Sequence, residues 1–187
     1  MEKGGLLDAL NQAGITTTSR LWHCDEMRFG LWGQVRRRWG LKGIKIIQRM
    51  QIVFCWSYLV LAVDVKRGEL HWGWSQGMNQ QKLVPIFEQW PMDGVVWDGA
   101  PSHRGKPMGE VGFGRIFLPA YSPELNPAER VFEEVRRQVE GAVYPSLRAK
   151  TAAIDHLLRQ LRADKPRLKR LIGWNWIKQT MAQLPRA

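Results

Sequence analysis

Apolar positions along this chain fall into two kinds of run. Short, almost wholly apolar stretches rich in β-branched and aromatic residues read as strands. They cover residues 20–26, 46–56, 58–65, 70–75, 94–98 and 115–118. Lys66-Arg67-Gly68-Glu69 is a turn signal between two of them, so 58–65 and 70–75 are expected to form an antiparallel hairpin. The run 94–98 has no polar alternation, which fits a central strand covered on both faces. Residues 27–43 carry four glycines among arginines and tryptophans and suggest a loose hairpin.

The second kind of run repeats every three or four residues. Asn79 is placed to cap a helix reaching Trp90, with Leu83, Ile86, Phe87 and Trp90 on one face. Asn126 and Pro127 open a better-specified helix, whose stripe is Ala128, Val131, Phe132, Val135 and Val139. Further helices are expected from Ser146 to Arg162, with Ile154, Leu157, Leu158 and Leu161 inward, and from Lys165 to Gln183. Residues 103–112 are poorly patterned, a short helix or a loop. Residues 1–19 read as one turn and a half of helix through Leu6, Leu7 and Leu10, then a linker, a remnant of an upstream region. Residues 20–183 form the domain. Antiparallel strands come first and a β-α-β alternation follows, which makes an α/β mixed sheet with helices on its faces.

Composition narrows the partner. The 187 residues carry a formal net charge of +11, and 44% are hydrophobic. That excludes a disordered chain and points to a polyanion. The charge is uneven. Met27 to Val63 holds no Asp or Glu but has Arg28, Arg36, Arg37, Arg38, Lys42, Lys45 and Arg49. A second excess follows Arg130 and includes Arg136 and Arg137. Such residues bind phosphates without reading sequence. Cys24 and Cys55 both lie in apolar runs and read as reduced core residues. The first residues lack the long apolar core of a signal peptide, and the longest apolar stretch, Ile52 to Val63, is too short to span a bilayer, so a cytoplasmic, nucleoid-associated location is expected.

Three carboxylates stand at the ends of separate elements. Asp25 closes Leu21-Trp22-His23-Cys24; Asp98 closes Gly94-Val95-Val96-Trp97; Glu129 lies just inside the helix after Asn126. Carboxylates of this kind suit Mg²⁺ or Mn²⁺, and a metal pair can run phosphodiester chemistry. Each has a plainer reading. Asp98 can serve as a turn residue, Asp25 as a solvated strand end, and Glu129 as the partner of Asn126 in a capping box. Alternation along the strand puts Asp25 and Glu26 on opposite faces. His103 can act at the site, by touching a phosphate or orienting a ligand carboxylate, or be a polar loop residue. His23, His71 and His156 have no metal-ligand spacing. Most of the ten tryptophans should be core anchors, with Trp32 and Trp39 the exposed ones.

The segments Trp22-His23-Cys24-Asp25-Glu26, Trp97-Asp98-Gly99-Ala100-Pro101-Ser102-His103 and Leu118-Pro119-Ala120-Tyr121-Ser122-Pro123-Glu124-Leu125-Asn126-Pro127-Ala128-Glu129 resemble the three catalytic motifs of DDE-type transposases. The likeness is to the bacterial insertion-sequence 630 family, related to Tc/mariner elements. It runs from about residue 20 to residue 180. It implies a ribonuclease H-like fold, with Asp25, Asp98 and Glu129 as the catalytic residues that bind two Mg²⁺ (or Mn²⁺) ions. Glu26, His103 and Asn126 are accessory candidates. Gly99 stands where the second motif usually has Asn, and the 30 residues between Asp98 and Glu129 are fewer than usual. Relatives carry an N-terminal helix-turn-helix region; here it is expected to be encoded separately or lost.

The resemblance implies metal-dependent DNA cleavage and strand transfer on double-stranded transposon ends and target, by a homodimer. Two other functions stay open: an inactive or regulatory DNA-binding remnant of a transposase, and a ribonuclease H-like nuclease or resolvase acting on branched DNA.

Overall fold

A computed structural model describes residues 5–186 except Gln34, Arg36 and Arg38. Five strands form one sheet: β1 (Leu21–Gly30), β2 (Trp56–Asp64), β3 (Glu69–Ser75), β4 (Gly94–Trp97) and β5 (Gly114–Phe117). Their spatial order is β3-β2-β1-β4-β5. β1, β2 and β3 are antiparallel neighbours, and β4 and β5 run parallel to β1. The β2–β3 turn closes on Asp64, whose backbone and carboxylate oxygens accept from the amides of Gly68 and Arg67; Gly68 supplies the positive φ of 66°.

Alternation along the strands builds a core on each face. Trp22, Cys24, Val60, Ala62, Val95 and Trp97 point to one side, where α2 (Gln80–Phe87) contributes Leu83 and Phe87 and α4 (Lys106–Gly109) contributes Met108. Leu21, Met27, Phe29, Leu59, Leu61, Val63, Val96 and Ile116 point to the other. There α5 (Ala128–Val139), α6 (Leu147–Ala163), α7 (Lys165–Ile172) and α8 (Asn175–Ala182) cover the sheet. The expected inward residues of α5 and α6 are all buried. Asn79 caps α2 through its side chain, as expected, and Ser146, where α6 was expected to open, caps that helix in the same way. On β3, Trp72 and Trp74 both donate indole N–H bonds to Asp155 Oδ1 (2.8 and 2.9 Å), which pins α6 across the sheet.

Several boundaries differ from the expectations. α1 (Gly5–Gln12) forms the helix expected through Leu6, Leu7 and Leu10, longer than a turn and a half, and Leu6, Leu10 and Ile15 are buried in the core with α5–α8. The last helix is two, because the chain breaks at Gly173-Trp174. Residues 103–112 hold the end of a short α3 (Pro101–Arg104) and α4. β1 continues to Gly30, and among the described residues 31–55 carry neither the expected hairpin nor the strand at 46–56. Ile47, Ile52 and Phe54 are exposed there. Cys55 is exposed too, whereas Cys24 is buried. Trp32 and Trp39 are exposed as expected, and Trp22 and Trp97 are fully buried. No helix among the described residues is long and apolar enough to cross a membrane.

Candidate active site

Sheet register brings the first two aspartates together. β1 pairs with β4 as Leu21↔Gly94, Trp22↔Val95 and His23↔Val96. Two residues further on, β1 carries Asp25 and the chain leaving β4 carries Asp98. Both side chains therefore emerge at the carboxyl end of the parallel strands, where open α/β sheets bind ligands. Alternation sends Asp25 to the α5 face and Glu26 to the α2 face.

Asn126 places the third acid. Its Nδ2 donates to the Cys24 carbonyl (2.8 Å), and its Oδ1 accepts from the Ala128 amide (3.1 Å). One buried amide thus caps α5 and ties the helix start to β1, one residue before Asp25. The capping box is not formed: the Asn126 amide donates to the Pro123 carbonyl instead. Glu129 is left free to face the sheet. Its backbone amide still bonds the Asn126 carbonyl at 3.1 Å, so the helix begins where the sequence placed it.

Asp25, Asp98 and Glu129 line one open cavity of about 460 Å³, walled by Leu118 to Pro123 and floored by Asn126. Burial, followed by the charges of Glu26, Glu129 and Asp98, pushes the Asp25 carboxyl up to about 8. Asp98 moves the other way. A hydrogen bond from His103 and one from the Ala100 amide hold it below its usual value, against a partial burial that raises it. His103 is buried and stacked on Trp97 (4.3 Å between centroids, 7° between planes). Burial pulls its pKa down, but its bonds to Asp98 and Glu26 outweigh this and raise it to about 10, so the ring is cationic at neutral pH.

The donor set fits a hard divalent cation. All three groups are carboxylates, they crowd one another electrostatically, and among the described residues the hydrogen bonds to Asp25 and Asp98 side chains go to Oδ1. Among the described residues no three His, Cys, Asp or Glu side chains stand close enough to hold a metal ion as placed. Convergence is thus to one cavity, not to a closed coordination sphere.

Two cavity residues were not singled out in the sequence: Arg104 follows the second motif and Tyr121 lies inside the third. Arg104 lines the wall, donates from Nε to the Gly99 carbonyl (2.9 Å) and packs over Phe117. A Cβ on Gly99 would press on the end of this guanidinium and push it aside. Tyr121 is fully exposed on the rim with a positive φ of 57°.

The basic candidates lie elsewhere. Arg28, Arg37, Lys42 and Lys45 are exposed, with Arg28 over the Trp56 ring. Arg36 and Arg38 lie outside the described residues. Arg137 is paired with Glu134 (2.8 Å), and Arg136 lies 4.0 Å from Glu140. None of the described ones lines the acid cavity.

A family model described as DDE superfamily endonuclease matches residues 20–149, a span that contains all three carboxylates. The chain belongs to this family. The DDE domain is also similar in fold to solved transposases. One is the Mos1 transposase paired-end complex with left transposon end, at a TM-score of 0.64 and 16% identity, covering 95% of this chain and 58% of that one. Another is the Mos1 mariner paired-end complex with Mn, at 0.65 and 16%, covering 95% and 59%. The catalytic domain of Mos1 mariner transposase alone gives 0.59 and 15%, covering 95% and 87%. The chain thus spans less than two thirds of the longer Mos1 chains. Its mixed five-stranded sheet with helices on both faces is the ribonuclease H-like architecture that the motifs implied. No curated protein matches it.

Proposed function

We propose that this DDE endonuclease domain cleaves DNA phosphodiester bonds and transfers the freed strand, with Asp25, Asp98 and Glu129 as ligands for two Mg²⁺ or Mn²⁺ ions. The observation that carries the reading is the shared cavity: three acids, 73 and 31 positions apart in sequence, line its wall. When bound, a divalent pair supplies Lewis acidity and activates a water or a DNA 3′-hydroxyl for in-line displacement. Asp25, which feels the charges of both Glu129 and Asp98, would hold the ions together with them. Arg104, which lines the cavity and spends its Nε on Gly99, offers its terminal N–H donors to a phosphate oxygen entering it. The exposed arginines and lysines of residues 28–49 hold flanking phosphates and position the duplex.

The test is Asp98→Asn, which removes a charge and keeps the shape. The variant should bind DNA as the parent does and lose Mg²⁺-dependent nicking of plasmid DNA. Full nicking activity in this variant sinks the assignment.

We further propose that the domain works as a homodimer on paired ends. Trp39, Leu41, Ile44, Ile47, Ile52 and Phe54 expose their side chains on one stretch between β1 and β2, a density of apolar surface that suits burial against another protein surface. Sedimentation of Phe54→Ser with and without DNA tests this: the parent dimerises on DNA and the variant does so less. Equal dimerisation removes the stretch from the interface.

A further inference from the structure

Behind the acid cavity, on the opposite face of the sheet, lies a second set of charged groups. Glu26 leaves β1 toward the α2 core, and its side chain is only 3% exposed. An unpaired carboxylate there carries a heavy desolvation cost. Its partner is His103, whose Nε2 lies 3.2 Å from both Glu26 carboxylate oxygens. The other ring nitrogen, Nδ1, lies 2.7 Å from Asp98 Oδ1 and 3.2 Å from the Asp98 carbonyl. The ring therefore spans two strands and ends in a carboxylate on each side.

Its plane is held as well. Trp97 stacks on it almost in parallel, α3 fixes its backbone through the bond from the His103 amide to the Ala100 carbonyl, and Arg115 reaches its own carbonyl. Packing alone does not explain this arrangement, because an apolar ring would fill the space beside Trp97 without drawing in two carboxylates. The consequence for Asp98 is specific. Nδ1 and the Ala100 amide both address Oδ1 (2.7 and 3.1 Å), and among the described residues Oδ2 is left without a protein partner in a side chain that is 61% exposed.

We infer that His103 is a positioning residue, gripped by Glu26, that turns Asp98 so its free Oδ2 faces the cavity. Glu26 acts only through His103, from the far side of the sheet. The inference rests on the reading of the cavity as a divalent-cation site. It deepens that reading by extending the site through the sheet to a fourth carboxylate that never touches the ion. Outer partners of this kind typically change metal affinity about 10- to 100-fold.

The test is Mn²⁺ affinity of the full chain, by calorimetry or by electron paramagnetic resonance of free Mn²⁺, with thermal midpoints measured alongside. Asp25→Asn serves as the reference for uptake in the cavity. His103→Ala should weaken Mn²⁺ binding about 10- to 100-fold. His103→Asn, which keeps a donor near Oδ1, should recover most of that loss; a ring that only filled space would show no such rescue. Glu26→Gln, nearly isosteric, should weaken binding by a smaller factor, and should add nothing in a His103→Ala background. If Asp25→Asn abolishes uptake while His103→Ala binds like the parent, the positioning role is overturned and the metal site stands. The positioning role is overturned in the same way if Glu26→Gln weakens binding as much without His103 as with it. If the parent takes up no Mn²⁺, or Asp25→Asn takes up as much as the parent, the metal site and the positioning role fall together.

Discussion

β2 and the residues just before it are alike in sequence and opposite in fate. Residues 46–54 read Ile-Ile-Gln-Arg-Met-Gln-Ile-Val-Phe, and 58–65 read Tyr-Leu-Val-Leu-Ala-Val-Asp-Val. Both are rich in β-branched and large apolar residues. Yet every residue from Leu59 to Val65 is buried, whereas Ile47 is 83% and Phe54 76% exposed. The difference is not propensity. β2 has β1 on one side and β3 on the other, so its backbone groups and both faces are satisfied together. The preceding stretch is tethered near its base, where Gln51 exchanges side-chain bonds with the backbone of Tyr144, Gly33 bonds the Gln51 carbonyl and Phe54 meets the Trp32 ring. Strand character in a sequence is an offer that a neighbour must accept.

The largest effect that sharpens this contrast is a buried charge. Leu61→Asp should destabilise the domain by about 4–5 kcal/mol or prevent folding, since it leaves an unpaired carboxylate in a packed core. Ile47→Asp, the same kind of change in the exposed stretch, belongs at the other end of the scale. Urea unfolding of both variants compares them directly, and equal losses would break the contrast.

Next comes a polar group that the sheet does bury. His23 is 1% exposed, and neither ring nitrogen has a hydrogen-bond partner among the described residues. Burial lowers its pKa to about 4, against a weak upward pull from the Val63 backbone. The unfolded chain therefore binds a proton more readily than the folded one between about pH 6.5 and about pH 4. Its contribution to stability is intact above pH 6.5 and falls as the pH drops through that window, by about 3 kcal/mol in all. Unfolding free energies of the parent and His23→Leu across this range should diverge. Parallel curves would show that the ring is not buried neutral.

A smaller loss is expected at the helix anchor. Asn126→Ala removes the α5 cap and the bond to Cys24 and should cost about 1–2 kcal/mol in urea unfolding. It should also weaken Mn²⁺ uptake, because Glu129 loses its tether to β1. An unchanged unfolding midpoint would show that another contact seats the helix.

Smallest is the exposed stretch itself. Ile47→Asp should change stability by no more than about 0.5 kcal/mol. Any effect belongs in concentration-dependent association. A cooperative loss of folding would mean that the stretch packs against its own domain.

Much of the fold could be read in advance because the strong patterns were also the buried ones. The stripe from Ala128 to Val139, the apolar run ending at Trp97 and the Gly68 turn all carry local signals that agree with the tertiary outcome. The reading failed at 27–56, where apolar content has no local sign of whether a partner strand exists, and at Gly173-Trp174, where one periodic run hides a break. At the site, the motifs named the three acids but not how they are held. Asn126 was read as a cap, and its other amide group on Cys24 has no signature in one dimension. His103 was left between two readings, because its partners lie 5 and 77 positions away.

By itself the sequence determined which residues alternate, where helices open and which carboxylates end apolar runs, because these depend on neighbours a few positions apart. Only the tertiary structure decided which apolar run became a strand, that Asp25 and Asp98 share a parallel register, and that Glu26 backs the site through His103. Those outcomes depend on pairing across the sheet, and pairing is a property of two segments that neither one encodes alone.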